Sequence, residues 1–86
     1  MYLHIGPSAV VRQRDIIGVF DMDNATYSRL TRDFLERAER AGELESVTGD
    51  LPKSFLLCEQ RGRKKIYLSQ FSPTTLRGRA ALRSLE

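Results

Sequence analysis

The stretch RDIIGVFD, residues 14–21, decides how this chain folds. Successive side chains of an extended strand point to opposite faces. Ile16, Ile17, Val19 and Phe20 occupy both parities, which predicts a strand buried on both sides and so placed at the centre of a sheet. Arg14 and Asp15 bracket it before, Asp21 brackets it after, and Gly18 leaves room for a close approach. Phe55-Leu56-Leu57-Cys58 is a second continuous apolar run of the same character.

Upstream of this stretch, Tyr2-Leu3-His4-Ile5 reads as a short strand stopped by the turn pair Gly6-Pro7. Val10-Val11 begins a second strand that leads through Arg12-Gln13-Arg14 into the central one. Downstream, Asn24 or Thr26 is a candidate N-cap for a helix over residues 27–41. Tyr27, Leu30, Phe34, Ala38 and Ala41 fall on one helical face, and Gly42 supplies the stop. On the opposite face Asp33 with Arg37 and Glu36 with Arg40 have i,i+4 spacing, so these arginines are expected to be neutralised locally.

Residues 44–47 form a further strand. Residues 55–58 and 66–68 pair as a hairpin whose turn, residues 60–65, is strongly basic. Ser72-Pro73 opens a second helix with Leu76, Ala80 and Leu85 inward and Arg77, Arg79 and Arg83 outward. The fold class is therefore α+β, one domain over residues 1–86. It has a small antiparallel sheet of about five strands, one long helix and a short C-terminal helix. With apolar residues on both faces, one face takes the long helix. The other meets another subunit, unless the terminal helix alone covers it.

A chain of 86 residues buries only about 60–65% of its unfolded surface, so its core is marginal and often completed by partners. No apolar run approaches the roughly 20 residues of a membrane span. No charged-then-apolar leader precedes a cleavage site, so a cytoplasmic protein without membrane contact is expected. The single cysteine fits a reducing compartment. His4 and Cys58 lack the third orienting group of a nucleophilic site, and one His with one Cys does not make a zinc site. The glycines form neither a dinucleotide fingerprint nor a P-loop. Neither an enzyme, a cofactor nor a small-molecule substrate is expected.

The net charge of +3 conceals a division. Residues 1–52 carry six basic and nine acidic side chains, and residues 53–86 carry eight basic and two acidic. Such a split suits a polyanion at one end of the molecule, although exposed Lys and Arg are also ordinary solubilising surface. Arg61, Arg63, Lys64 and Lys65 gather at the hairpin without interleaved aromatics, which suits phosphate contact rather than base reading. A solvated turn accounts for the same residues. Arg12 and Arg14, two apart, project to one side, where they can bracket a phosphate or pair with Asp15, Asp21 or a neighbouring subunit.

Met1-Tyr2-Leu3-His4-Ile5-Gly6, then residues 10–14 running into Asp15-Ile16-Ile17-Gly18-Val19-Phe20-Asp21, resembles the opening of the bacterial extracellular-matrix (biofilm) regulators RemA and RemB. Pro52-Lys53-Ser54 and Tyr67-Leu68-Ser69 through Ser72-Pro73-Thr74-Thr75-Leu76 are similar to the RemB branch in particular. The resemblance covers nearly the whole chain. It implies a small regulator of LytTR-like fold that binds double-stranded DNA and assembles as a homo-oligomeric ring. Arg14 matches an arginine that DNA-binding RemA members use at the end of the second strand. Their other determinant, an arginine pair directly after a glycine in the loop before the fifth strand, is missing: Gly49 is followed by Asp50-Leu51, and only Lys53 lies nearby. The basic hairpin is our candidate substitute, so the expected DNA-contacting set is Arg12, Arg14, Lys53, Arg61, Arg63, Lys64 and Lys65. An oligomeric protein-interaction module with little DNA affinity of its own is the other reading.

Overall fold

The computed structural model of the chain describes residues 2–25 and 28–84, with side chains described through residue 79 except at 24 and 25. Its elements are β1 (Tyr2–His4), β2 (Val10–Arg12), a 3-10 turn (Gln13–Asp15), β3 (Ile16–Asp21) and the single helical turn α1 (Met22–Ala25). They continue with α2 (Arg29–Arg40), β4 (Leu44–Ser46), β5 (Ser54–Gln60), β6 (Arg63–Ser69) and α3 (Pro73–Ser84). The class is α+β as expected, but the strands number six among the described residues and form two sheets. β1 and β2 make a separate antiparallel hairpin, and the other four lie in the order β3-β5-β6-β4.

Two expectations fail here, both for topological reasons. The first concerns β3, which is an edge strand rather than the centre of the sheet. Ile17 is 60% and Phe20 44% exposed. Register explains the pattern: Ile16 lies opposite Cys58 and Gly18 opposite Leu57, so Ile17 is an extra residue bulged out of the ladder. The space at Gly18 is filled by the same strand. A Cβ there would stand 2.9 Å from the Phe20 ring, which lies back over the glycine and stacks on Phe55 at 4.9 Å. β5 is an interior strand, flanked by β3 and β6, with Phe55, Leu56 and Cys58 buried. The second concerns β4, which joins β6 in parallel. The chain passes from β4 to β6 through β5, so the sheet is mixed rather than antiparallel.

Each sheet face has its own core. On one, Leu35 and Ala38 of α2 pack with Phe55 and Ile66, supported by Phe34, Leu44, Leu57 and Leu68. On the other, Leu3, Ile5 and Val11 of the β1–β2 hairpin and Leu76 of α3 close over Leu56 and Cys58. The second face is thus covered by the chain itself, and the uncovered-face argument for another subunit does not hold. Ser69 fastens the two sheets, its Oγ donating to the Ile5 carbonyl at 2.6 Å and accepting from the Phe71 N–H.

α2 begins later than the periodicity suggested. Ser28, not Asn24, is its N-cap, with Oγ accepting from the Thr31 N–H at 3.4 Å; Thr26 and Tyr27 lie outside the described residues. The buried face turns accordingly to Phe34, Leu35 and Ala38, leaving Leu30 80% exposed and Ala41 exposed. Gly42 ends the helix as expected, in a Schellman arrangement with Glu43 N–H on the Ala38 carbonyl at 2.9 Å. Among the described residues Arg40 reaches the backbone carbonyl of Glu36, and the expected i,i+4 ion pairs are not formed. Ser72 caps α3, accepting from the Thr75 N–H at 3.2 Å; Leu76 is buried, and the side chains of Ala80, Arg83 and Leu85 lie outside the described residues.

Candidate nucleic-acid interface

The basic hairpin is tighter than the six-residue turn expected. Gln60 pairs with Arg63, leaving only Arg61 and Gly62 to turn the chain. Both have positive φ, 52° and 78°, the signature of a type I′ turn whose twist matches that of the flanking strands. Arg63, Lys64 and Lys65 therefore belong to β6, where alternation sends neighbours to opposite faces. Lys64 lies over the Phe34 ring on the α2 side, 5.5 Å from its centroid. Lys65 lies on the other side, 3.3 Å from the Glu45 carboxylate and 5.9 Å from the Tyr67 ring centre. Tyr67 is held by the Gln60 amide at 3.3 Å.

β3 is antiparallel to β5, so its beginning lies beside the end of β5 and close to the hairpin tip. The 3-10 turn that places Arg14 comes immediately before it, and Arg12 ends β2. The outcome is one groove at the hairpin end of the sheet, lined by Tyr2, Arg12 and Arg14 together with Arg61, Arg63, Lys64 and Lys65. At about 1360 Å³ it exceeds the ~300–1,000 Å³ of ordinary small-molecule pockets. Six basic side chains face two acidic ones in its lining, Asp15 and Glu43. The C-terminal end of α2 also borders it at Ala41 and Gly42, so the negative end of the helix dipole adds to Glu43 on that rim.

Lys53 does not join this group. It precedes β5 at the opposite end of the sheet, its N–H on the Ser69 carbonyl at 2.8 Å and its carbonyl receiving the Met22 N–H at 3.0 Å. Seven strand residues, roughly 20 Å, separate it from the hairpin tip. Gly49, Asp50 and Leu51 share that far end, where the Asp50 N–H donates to Thr48 Oγ1 at 3.0 Å and Leu51 stands exposed. Sequence reasoning missed Tyr2 and Gln13, which line the groove mouth beside the two arginines. The signal was present for Tyr2, because cross-strand pairing with Arg12 follows once β1 and β2 are joined as a hairpin.

The other candidates for chemistry lie in opposite surroundings. His4 is exposed on the outer side of the hairpin, whereas Cys58 is fully buried. Burial first and the nearby Asp15 charge second push the Cys58 thiol up to about 11, which makes it a poor nucleophile. Among the described residues no cluster of three His, Cys, Asp or Glu could hold a metal ion, and no helix is long and apolar enough to cross a membrane.

Residues 2–80 match the family model described as RemA-like, "Extracellular matrix regulatory protein A-like". Extracellular matrix regulatory protein B of Bacillus subtilis (strain 168) is 39% identical over 80 residues, covering 93% of this chain and 90% of its relative. The family match takes in β1 through the first two turns of α3, so every element that builds the groove lies within it. The chain belongs to the RemA-like family of bacterial extracellular matrix regulatory proteins, and it is similar to the B type.

Proposed function

We propose that this protein is a cytoplasmic, DNA-binding transcriptional regulator of extracellular-matrix (biofilm) genes, a LytTR-like domain that works as a homo-oligomeric ring without enzymatic activity. The observation that carries the reading is the convergence of Arg12 and Arg14 with Arg61, Arg63, Lys64 and Lys65 on one groove. Cations from segments nearly 50 residues apart share a surface there, in a pattern suited to a phosphate backbone rather than to base edges. Lys65 contributes least, because Glu45 already compensates its charge. Lys53 and the Gly49 loop sit at the other end of β5, so only neighbouring subunits of a ring would bring them to the Arg14 surface.

The test is a mobility-shift titration of duplex DNA at several salt concentrations, with the native mass measured in parallel. Each phosphate neutralised adds about −0.9 to the slope of log K against log salt, and a ring repeats the contacts in every subunit. Arg14→Ala and the double variant Arg61→Ala/Arg63→Ala should each flatten the slope and weaken binding alike on unrelated sequences. No shift by the intact wild-type assembly at low salt would sink the DNA reading. The protein-interaction module would then take its place, favoured by the exposed Ile17 and Phe20 on the free side of β3 and by Leu30 and Leu51.

A further inference from the structure

One polar group in this fold is misplaced by ordinary standards. Gln13 Nε2 is buried and, among the described residues, has no hydrogen-bond partner. A desolvated donor without an acceptor is costly, and native structures rarely keep one without a reason. Its surroundings supply the reason. Tyr2 and Arg12 are paired directly across the β1–β2 hairpin, and Gln13 and Arg14 follow in the 3-10 turn. Together these four residues line a pocket of about 410 Å³ at the mouth of the basic groove.

Every side chain in that lining carries a donor: two guanidinium groups, a phenol hydroxyl and a carboxamide nitrogen. Asp15, the one acid in the turn, lies close enough to Cys58 to raise its pKa and is not part of this lining. A pocket with spare donors, two guanidinium charges and no carboxylate in its own lining, Asp15 entering only the wider groove, is complementary to an oxyanion. We propose that Tyr2, Arg12, Gln13 and Arg14 form a phosphate-binding subsite, in which the Gln13 amide turns outward to meet the anion as a neutral donor between two arginines. The subsite deepens the DNA reading and rests on it for the source of the phosphate, a duplex backbone; a free phosphate offers the same chemistry.

Gln13→Met separates a binding role from a packing role, because it keeps the length and removes the orphan donor. The full-length variant should melt at or above the wild-type temperature yet bind duplex DNA about tenfold more weakly at fixed salt, as expected for losing one hydrogen bond to a charged group. Gln13→Glu keeps the shape and adds a negative charge, so it should bind more weakly still. Inorganic phosphate, compared with chloride at equal ionic strength, should raise the melting temperature of wild type more than that of Gln13→Met. Wild-type duplex affinity in both variants would overturn the subsite while leaving the DNA reading standing. Gln13-dependent stabilisation by phosphate, without any duplex binding by wild type, would keep the subsite as a free-anion site and remove the DNA reading. If neither duplex nor phosphate responds to Gln13, the subsite is wrong.

Discussion

β3 and β5 carry nearly the same apolar content, and the fold uses them in opposite ways. Ile16, Ile17, Val19 and Phe20 run along a sheet edge, with one residue bulged out and a ring folded back over Gly18. Phe55, Leu56, Leu57 and Cys58 run between two partner strands, sealed by α2 below and by the β1–β2 hairpin and α3 above. Hydrophobicity therefore says that a segment avoids water. It does not say how many neighbours it has. The bulge is a device of an edge: it interrupts the regular ladder that a stray strand would need for pairing.

Truncation of one residue in each strand tests this contrast most strongly. Leu56→Ala opens a cavity in a closed core and should cost about 2–5 kcal/mol in denaturant unfolding. Ile17→Ser, by contrast, removes a side chain 60% exposed and should stay within about 0.5 kcal/mol. If Ile17→Ser also leaves the native mass unchanged, the exposed edge plays no part in assembly. A loss at Ile17 as large as that at Leu56 would mean that β3 is covered in solution.

A smaller effect sharpens the account of the edge itself. Gly18→Ala places a methyl where the Phe20 ring lies and should cost about 1–3 kcal/mol. In a Phe20→Ala background most of that penalty should vanish. The double-mutant cycle measures the difference, and an additive result would show that the glycine is there for some other reason.

The smallest effect belongs to Cys58 on the central strand. Its thiol has a folded-state pKa of about 11 against an ordinary 9.0, so folding favours the protonated form. That contribution is fully present below pH 9.0 and is lost as pH rises through about 11. Denaturant midpoints should decline over that window in wild type and less so in Cys58→Ala. Alkylation of the native protein at pH 8 should be slow, and rapid labelling would place the thiol outside the core.

Local signals were readable in the sequence wherever a single segment settles its own geometry. Ser72 before Pro73, Gly42 after the helix, and the strand character of the two apolar runs needed no information from elsewhere, whereas the burial of the first run did. Ser28 was missed because the helical period was extended back through Tyr27, whereas the helix begins at Arg29 and buries Leu35 and Ala38, which leaves Leu30 in its first turn facing solvent. The parallel β4–β6 pairing has no local signature, since it depends on the route of α2 across the sheet. For the candidate site, the residue types were legible but their grouping was not. Lys53 is separated from Arg14 by the length of a strand, while Arg12 and Arg14 are brought together with the hairpin cations, Lys64 and Lys65 bordering the groove from opposite faces of β6.

The two-residue turn at the hairpin tip has a thermodynamic consequence for any anion that meets it. Arg61 holds a left-handed backbone, a conformation in which Asn or Gly is the usual occupant. A cation there is mounted on a nearly rigid pivot instead of a six-residue tether. Much of the backbone freedom that a floppy loop would surrender on contact has been given up already, at the folding step, so association is left with little beyond the side chain to immobilise.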